Sequence, residues 1–175
     1  MAWCASACAW LIRVTEVRAW AALLITAAAM PAQAAGEGFG RWQQDVSSCV
    51  LTVEFRRLER CQAVRLDQRN EAVLRFSVLA PSAEPGLVQE LTFVGELDAA
   101  SAPMPCRDGL CQPAAPMRLQ ISVVRNAQFN SRGLVVGYPK TMPASGLCEL
   151  SESKVRCKAE NSSSGEQWSA DLNLR

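Results

Sequence analysis

The sequence predicts an all-β protein, an antiparallel β-sandwich or barrel-like domain stapled by disulfides. Three observations carry this. Several segments alternate apolar and polar residues with period two, which places every second side chain on one face of a half-buried strand. Pro and Gly clusters near 81–86, 101–105 and 137–146 punctuate these segments as loops. An even set of six cysteines follows an export-type leader.

The leader comes first in the chain. Arg13 and Arg18 precede an apolar run, Ala19 to Met30, which ends in Pro31-Ala-Gln-Ala34. A positive n-region, a short h-region and an A-x-A cleavage site together describe a secretory signal peptide over 1–34. The run is too short to span a bilayer, which needs about 20 residues, so no transmembrane segment is expected in the mature chain. Residues 35–175 then form a single domain of ordinary size. The expected location is the periplasm or the exterior.

Charge bounds the partners. The chain has 18 basic and 17 acidic residues, and the leader removes Arg13, Arg18 and Glu16, leaving 16 of each. A neutral domain lacks the basic footprint that generic nucleic-acid binding requires. No nucleic-acid partner is expected.

Four segments read as strands. Leu74, Phe76 and Val78 face away from Arg75 and Ser77. Leu87, Leu91, Phe93 and Leu97 oppose Val88, Glu90, Thr92 and Glu96. Met117, Leu119, Ile121 and Val123 oppose Arg118, Gln120 and Ser122. At the C-terminus Trp168, Ala170, Leu172 and Leu174 oppose Gln167, Ser169, Asp171 and Asn173.

Cysteine spacing adds three staples. Cys4 and Cys8 leave with the leader. In Cys106-Arg-Asp-Gly-Leu-Cys111, Asp108-Gly109 suits a type I′ hairpin turn, whose two central residues both need φ > 0. Cys106 and Cys111 then face each other on a non-hydrogen-bonded pair, where Cα atoms come closest. A turn at Glu152-Ser153 sets Cys148 opposite Cys157, Leu150 opposite Val155 and Glu149 opposite Arg156; a four-residue loop gives the same register. By elimination Cys49 pairs with Cys61. The residues between them suit a hairpin or a short helix, and Val50, Thr52 and Val53 favour the hairpin.

Trp42, Cys49, Cys61-Gln-Ala-Val64, Leu74-Arg-Phe-Ser-Val-Leu-Ala-Pro81 and Cys106-x4-Cys111 together resemble the invasion-associated locus B family. The resemblance covers about residues 42–111. It implies a small periplasmic or secreted bacterial protein with a β-rich fold and no established enzymatic activity. Beyond it lie Met117–Arg125, the Cys148/Cys157 hairpin and the segment Asn161–Trp168, which the family pattern does not share. No catalytic residue carries over.

The residues offer little chemistry. The chain has no histidine, which excludes Ser-His-Asp and Cys-His catalysis and the commonest zinc sets. The cysteines lack the CxxC spacing of structural zinc sites, so disulfides are expected and neither metal nor cofactor is. A thiol-redox role for Cys106/Cys111 would also want a CxxC. Ser151-Glu-Ser-Lys154 matches S-x-x-K but lies on a turn and lacks its companion motifs. Glu54, Glu90 and Glu96 are acids that could support hydrolysis, and their alternation reads them as outward and solvated.

Two binding features remain. Arg56, Arg57, Arg60, Arg65, Arg69 and Arg75 exceed Glu59, Asp67 and Glu71 between 56 and 75, and arginine suits bidentate contacts to phosphate or carboxylate. Gly137-Tyr-Pro-Lys-Thr-Met-Pro143 presents Tyr138, Lys140 and Met142 on a proline-stiffened loop. The expected function is a non-catalytic envelope or secreted protein that binds a protein or a surface polymer. The alternatives are a periplasmic inhibitor of a lytic hydrolase such as lysozyme, then a carboxylate- or Ser/Lys-based hydrolase. Asn161-Ser-Ser fits a glycosylation sequon that matters only in a eukaryotic host.

Overall fold

The computed structural model describes residues 38–175; the leader assigned to 1–34 lies outside them. It is all β, with 65% of the described residues in strands and no helix. The strands are β1 Gly40–Val53, β2 Arg56–Leu58, β3 Ala63–Gln68, β4 Val73–Pro81, β5 Val88–Leu97, β6 Cys106–Arg107, β7 Leu110–Cys111, β8 Met117–Phe129, β9 Val135–Leu150, β10 Lys154–Glu160 and β11 Gln167–Leu174. Eight of them close a barrel in the order β1-β3-β4-β5-β8-β9-β10-β11 and back to β1, all neighbours antiparallel. The β1–β11 pairing decides for a barrel over a sandwich.

An eight-stranded barrel has an interior just wide enough for side chains to fill. Leu51, Val64, Leu66, Phe76, Val78, Leu91, Phe93, Val155 and Leu172 fill it and are almost wholly buried. The predicted inward residues of β4, β5 and β11 occupy their expected face. β8 departs. Its register slips between Ile121 and Val123 against both neighbours, so one extra residue reverses the alternation and Val124 is buried in place of Val123. A bulge of this kind bends the strand, which a closed barrel needs. Two glycines serve the same closure. A Cβ on Gly95 would collide with the Gln120 backbone, and one on Gly146 with the Lys158 carbonyl. Neighbouring strands approach too closely there for any side chain.

All three disulfides form as expected, Cys106–Cys111 and Cys148–Cys157 from hairpin spacing and Cys49–Cys61 by elimination. Asp108 and Gly109 both hold positive φ, 53° and 78°, as a type I′ turn demands. The β9–β10 register matches residue for residue, with Glu149 opposite Arg156 and a two-residue turn closed by Ser151 N–H donating to the Lys154 carbonyl. Neither Glu152 nor Ser153 needs positive φ, so the turn is not type I′. Between Cys49 and Cys61 the chain makes the hairpin β1–β2, with Leu51 opposite Leu58.

One expectation is overturned. Residues 137–146 are not a loop; they belong to β9, the longest strand. β10 pairs with β9 only from Ser145 onward, so Val135–Ala144 has β8 on one side and no β10 on the other. Prolines are tolerated on such an edge because no ladder hydrogen bond is lost, which explains Pro139 and Pro143 within a strand. Three disulfides are consistent with an extracellular or periplasmic protein. Among the described residues no helix is long and apolar enough to cross a membrane.

A candidate recognition rim

β1 runs from one end of the barrel to the other, so its first residues and its last mark opposite ends. At the far end, beyond Val53, three segments converge. They are the β1–β2 turn at Glu54-Phe55, the free edge of β9, and the loop between β10 and β11. Lys140 ties them together. Its Nζ donates to Glu54 Oε1 at 2.9 Å and to Glu166 Oε1 at 2.7 Å. Its hydrogen bonds to Glu166, and then to Glu54, raise the Lys140 pKa above the ordinary lysine value. The ammonium therefore stays charged at neutral pH and serves as a tie, not as a base or nucleophile.

Two local backbone features aim aromatic rings outward from this tie. Between Asn126↔Lys140 and Gln128↔Val136 the β8–β9 register shifts, leaving Gly137-Tyr138-Pro139 opposite Ala127 alone. Gly137 takes φ 71° to enter this bulge, and the bulge throws Tyr138 clear of the sheet, fully exposed at 102%. In the β1–β2 turn Glu54 holds φ 58°, a region that costs a non-glycine residue about 1–2 kcal/mol. Phe55 follows it at 89% exposure. Leu134, Val135 and Val136 are exposed on the same β8–β9 hairpin.

Of the two binding features read from sequence, the 137–143 segment and only the first half of the arginine cluster lie at this end. Arg56 and Arg57 flank the Glu54-Phe55 turn on β2, both exposed, and Arg60 follows in the next connection. Arg57 pairs with Glu59 at 3.1 Å. Met142, by contrast, packs against the core. Phe55 and the aliphatic trio 134–136 were missed by sequence reading. Their signal, apolar residues beside a turn, is indistinguishable from core without the register.

The remaining arginines lie elsewhere. Arg65 faces outward from β3, where it pairs with Glu90 at 2.5 Å and Asp67 at 3.2 Å; Arg41 also reaches Asp67, at 2.6 Å. Glu90 points out of the barrel but is not solvated. It is 6% exposed and also accepts a hydrogen bond from Thr92, 3.1 Å away. The correction is physical: Arg65 lies over it, so an outward strand position became a covered one. Glu96 is exposed.

The S-x-x-K residues do not form a nucleophile pair. Ser151 Oγ donates to the Lys154 carbonyl at 3.1 Å, while Lys154 Nζ is held by Asp171 at 2.9 Å. Asn161 is buried, and its Oδ1 accepts from the N–H groups of Ser163 and Ser164. Among the described residues no group of three Cys, Asp or Glu residues is placed to hold a metal.

Comparison with known proteins returns no family model, no curated protein and no solved structure that matches the chain.

Proposed function

We propose that this chain is a non-catalytic exported protein of a bacterial-type envelope, delivered by its leader, that recognises a protein partner through the rim. One observation carries the reading. Tyr138 is fully exposed on a bulge two residues from a lysine clamped by two carboxylates of other connections. A large aromatic standing free in solvent on a strand tied two residues away offers contact area that only a partner would bury. Phe55 and Val136 are further exposed apolar side chains at this end, and Arg56 and Arg60 add positive charge to it. The resemblance to the invasion-associated locus B proteins supports the same class.

A photoreactive amino acid at Phe55 should crosslink one envelope protein, and the same group at Glu71, exposed in the β3–β4 connection at the other end of the barrel, should not. Equal crosslinking from both positions overturns the reading. The projecting β8–β9 hairpin also favours the second reading, inhibition of a lytic hydrolase such as lysozyme by insertion into its cleft. Inhibition by the purified protein, abolished in Tyr138→Ala, is the result that would move the choice to it.

A further inference from the structure

At the opposite end of the barrel, where β1 begins, the disulfide-closed β6–β7 hairpin stands against β1 as a wall. Arg41 N–H donates to the Gly109 carbonyl at 2.8 Å, and Arg41 and Leu110 form a parallel bridge. Gly40 makes the approach feasible, since a Cβ there would meet the Gly109 carbonyl oxygen at 2.6 Å and Cys111 Sγ at 2.7 Å. Between wall and strand runs an open groove of about 860 Å³, lined by Arg41, Trp42, Gln43, Arg107, Leu110 and Gln112 among others. A second groove of about 370 Å³, with Gln44, Glu152 and Leu174 in its lining, shares Trp42. Trp42 is half-buried and packs on the core, so the ring is anchored while it lines both.

We propose that these two grooves bind an uncharged oligosaccharide chain across the Trp42 they share. The chemistry of the lining selects this class. An anchored indole offers a flat apolar surface to a sugar face and one N–H at its edge. The side chains of Gln43 and Gln112 make no hydrogen bond to other described residues, which leaves planar amide donors and acceptors facing the groove. The charges cancel locally: Arg41 is paired with Asp67, and Arg107 lies beside Asp108. Each cation of the groove thus has a carboxylate beside it, which weakens its pull on an anion. Two grooves in series on one aromatic suit a chain better than a compact molecule. The wall is fixed by a disulfide and a type I′ turn, so little ordering is left for binding to complete. The site lies at the far end of β1 from the rim, at most about 36 Å from it at about 3.3 Å per strand residue, and stands independently of it.

The test is a titration of the isotopically labelled protein with cellotriose, maltotriose and tri-N-acetylchitotriose, with trigalacturonate as the charged counterpart. Trp42→Phe, which preserves an aromatic on the core, identifies the Trp42 indole N–H signal by deleting it. The expected result is that one uncharged trisaccharide shifts that signal and leaves the buried Trp168 indole still. Gln112→Ala and Arg107→Ala, at exposed positions where folding is safe, should each weaken binding about fivefold, the loss of one hydrogen bond. Tyr138→Ala should change nothing here. The proposal is overturned if no uncharged trisaccharide moves the Trp42 signal at millimolar concentration, if trigalacturonate alone does, or if both exposed variants bind as tightly as wild type.

Discussion

Lys140 and Glu54 are 86 residues apart in the chain, yet Nζ and Oε1 meet at 2.9 Å and fasten the edge of β9 to the β1–β2 turn. With Glu166 on its other side, one ammonium fixes three segments. All three side chains are partly exposed, at 43%, 33% and 20%, and exposed ion pairs contribute at most about 1 kcal/mol. Lys140→Met should therefore barely change the melting temperature. It should instead speed hydrogen exchange at 54–56, 137–138 and 162–166, and slow-exchanging amides there in the variant would show that the tie does not order the rim.

The same tie predicts an alkaline transition. Because the folded Lys140 pKa is raised, the linkage contribution is complete below the ordinary lysine value and is lost as pH climbs through the raised one. Loosening of the rim should begin above the ordinary lysine value near 10.4, seen as line broadening of Tyr138 and Gly137 signals. Lys140→Arg should move that onset further up.

The disulfides should rank by more than loop length. In the chain-entropy model closure contributes about 2 kcal/mol for the short Cys106–Cys111 loop and about 3 kcal/mol for Cys49–Cys61. Cys148 and Cys157, at 2% and 1% exposure, are also core side chains. Paired replacement by Ala there loses packing as well as closure, so its cost should exceed that of the Cys106/Cys111 pair by about 1 kcal/mol or more. Urea unfolding of the three paired variants gives the order directly.

What sequence could and could not supply follows from range. The two hairpin disulfides, the type I′ turn and the strand faces depend on neighbours a few residues away, and spacing alone dictates them. β9 was misread because Pro139, Pro143 and Gly137 are loop formers in isolation, while a free sheet edge tolerates all three; only the missing β10 partner reveals that. Val123 was misplaced for a similar reason, since the bulge that exchanges it with Val124 leaves no local signature. Barrel closure rests on β1 meeting β11, the longest-range pairing in the fold. At the rim, Tyr138 and Arg56 were visible as residue types, but their convergence required Lys140 to reach both carboxylates.

Close strand approach makes Gly146 a sharp test of the barrel geometry. Gly146 sits between Ile121 on β8 and Ala159 on β10, and a methyl group there runs into the Lys158 carbonyl. Backbone on a neighbouring strand cannot step aside as a side chain would. Gly146→Ala should destabilise by about 1–3 kcal/mol, as overpacking does, while Gly133→Ala at the open hairpin tip should disturb only its local φ of 73°. Equal, small effects at both sites would contradict the β9–β10 spacing.

The Arg65–Glu90 pair offers the last prediction, because its two partners differ in what they can recover. Glu90 is covered and, apart from Thr92, relies on Arg65, whereas Arg65 also holds Asp67 and keeps partial access to water. Arg65→Ala strands a buried carboxylate and should cost about 3 kcal/mol, the penalty typical of breaking a buried pair. Glu90→Gln leaves Arg65 with Asp67 and keeps an acceptor for Thr92, so its cost should be well under half as large. Replacing both at once, Arg65→Met with Glu90→Leu, removes the stranded charge and should restore most of the stability lost in Arg65→Ala. If the double variant is instead as unstable as Arg65→Ala, the ion pair itself and not relief of an isolated charge holds that face of the barrel together. Thermal unfolding of the four proteins at neutral pH separates the two outcomes.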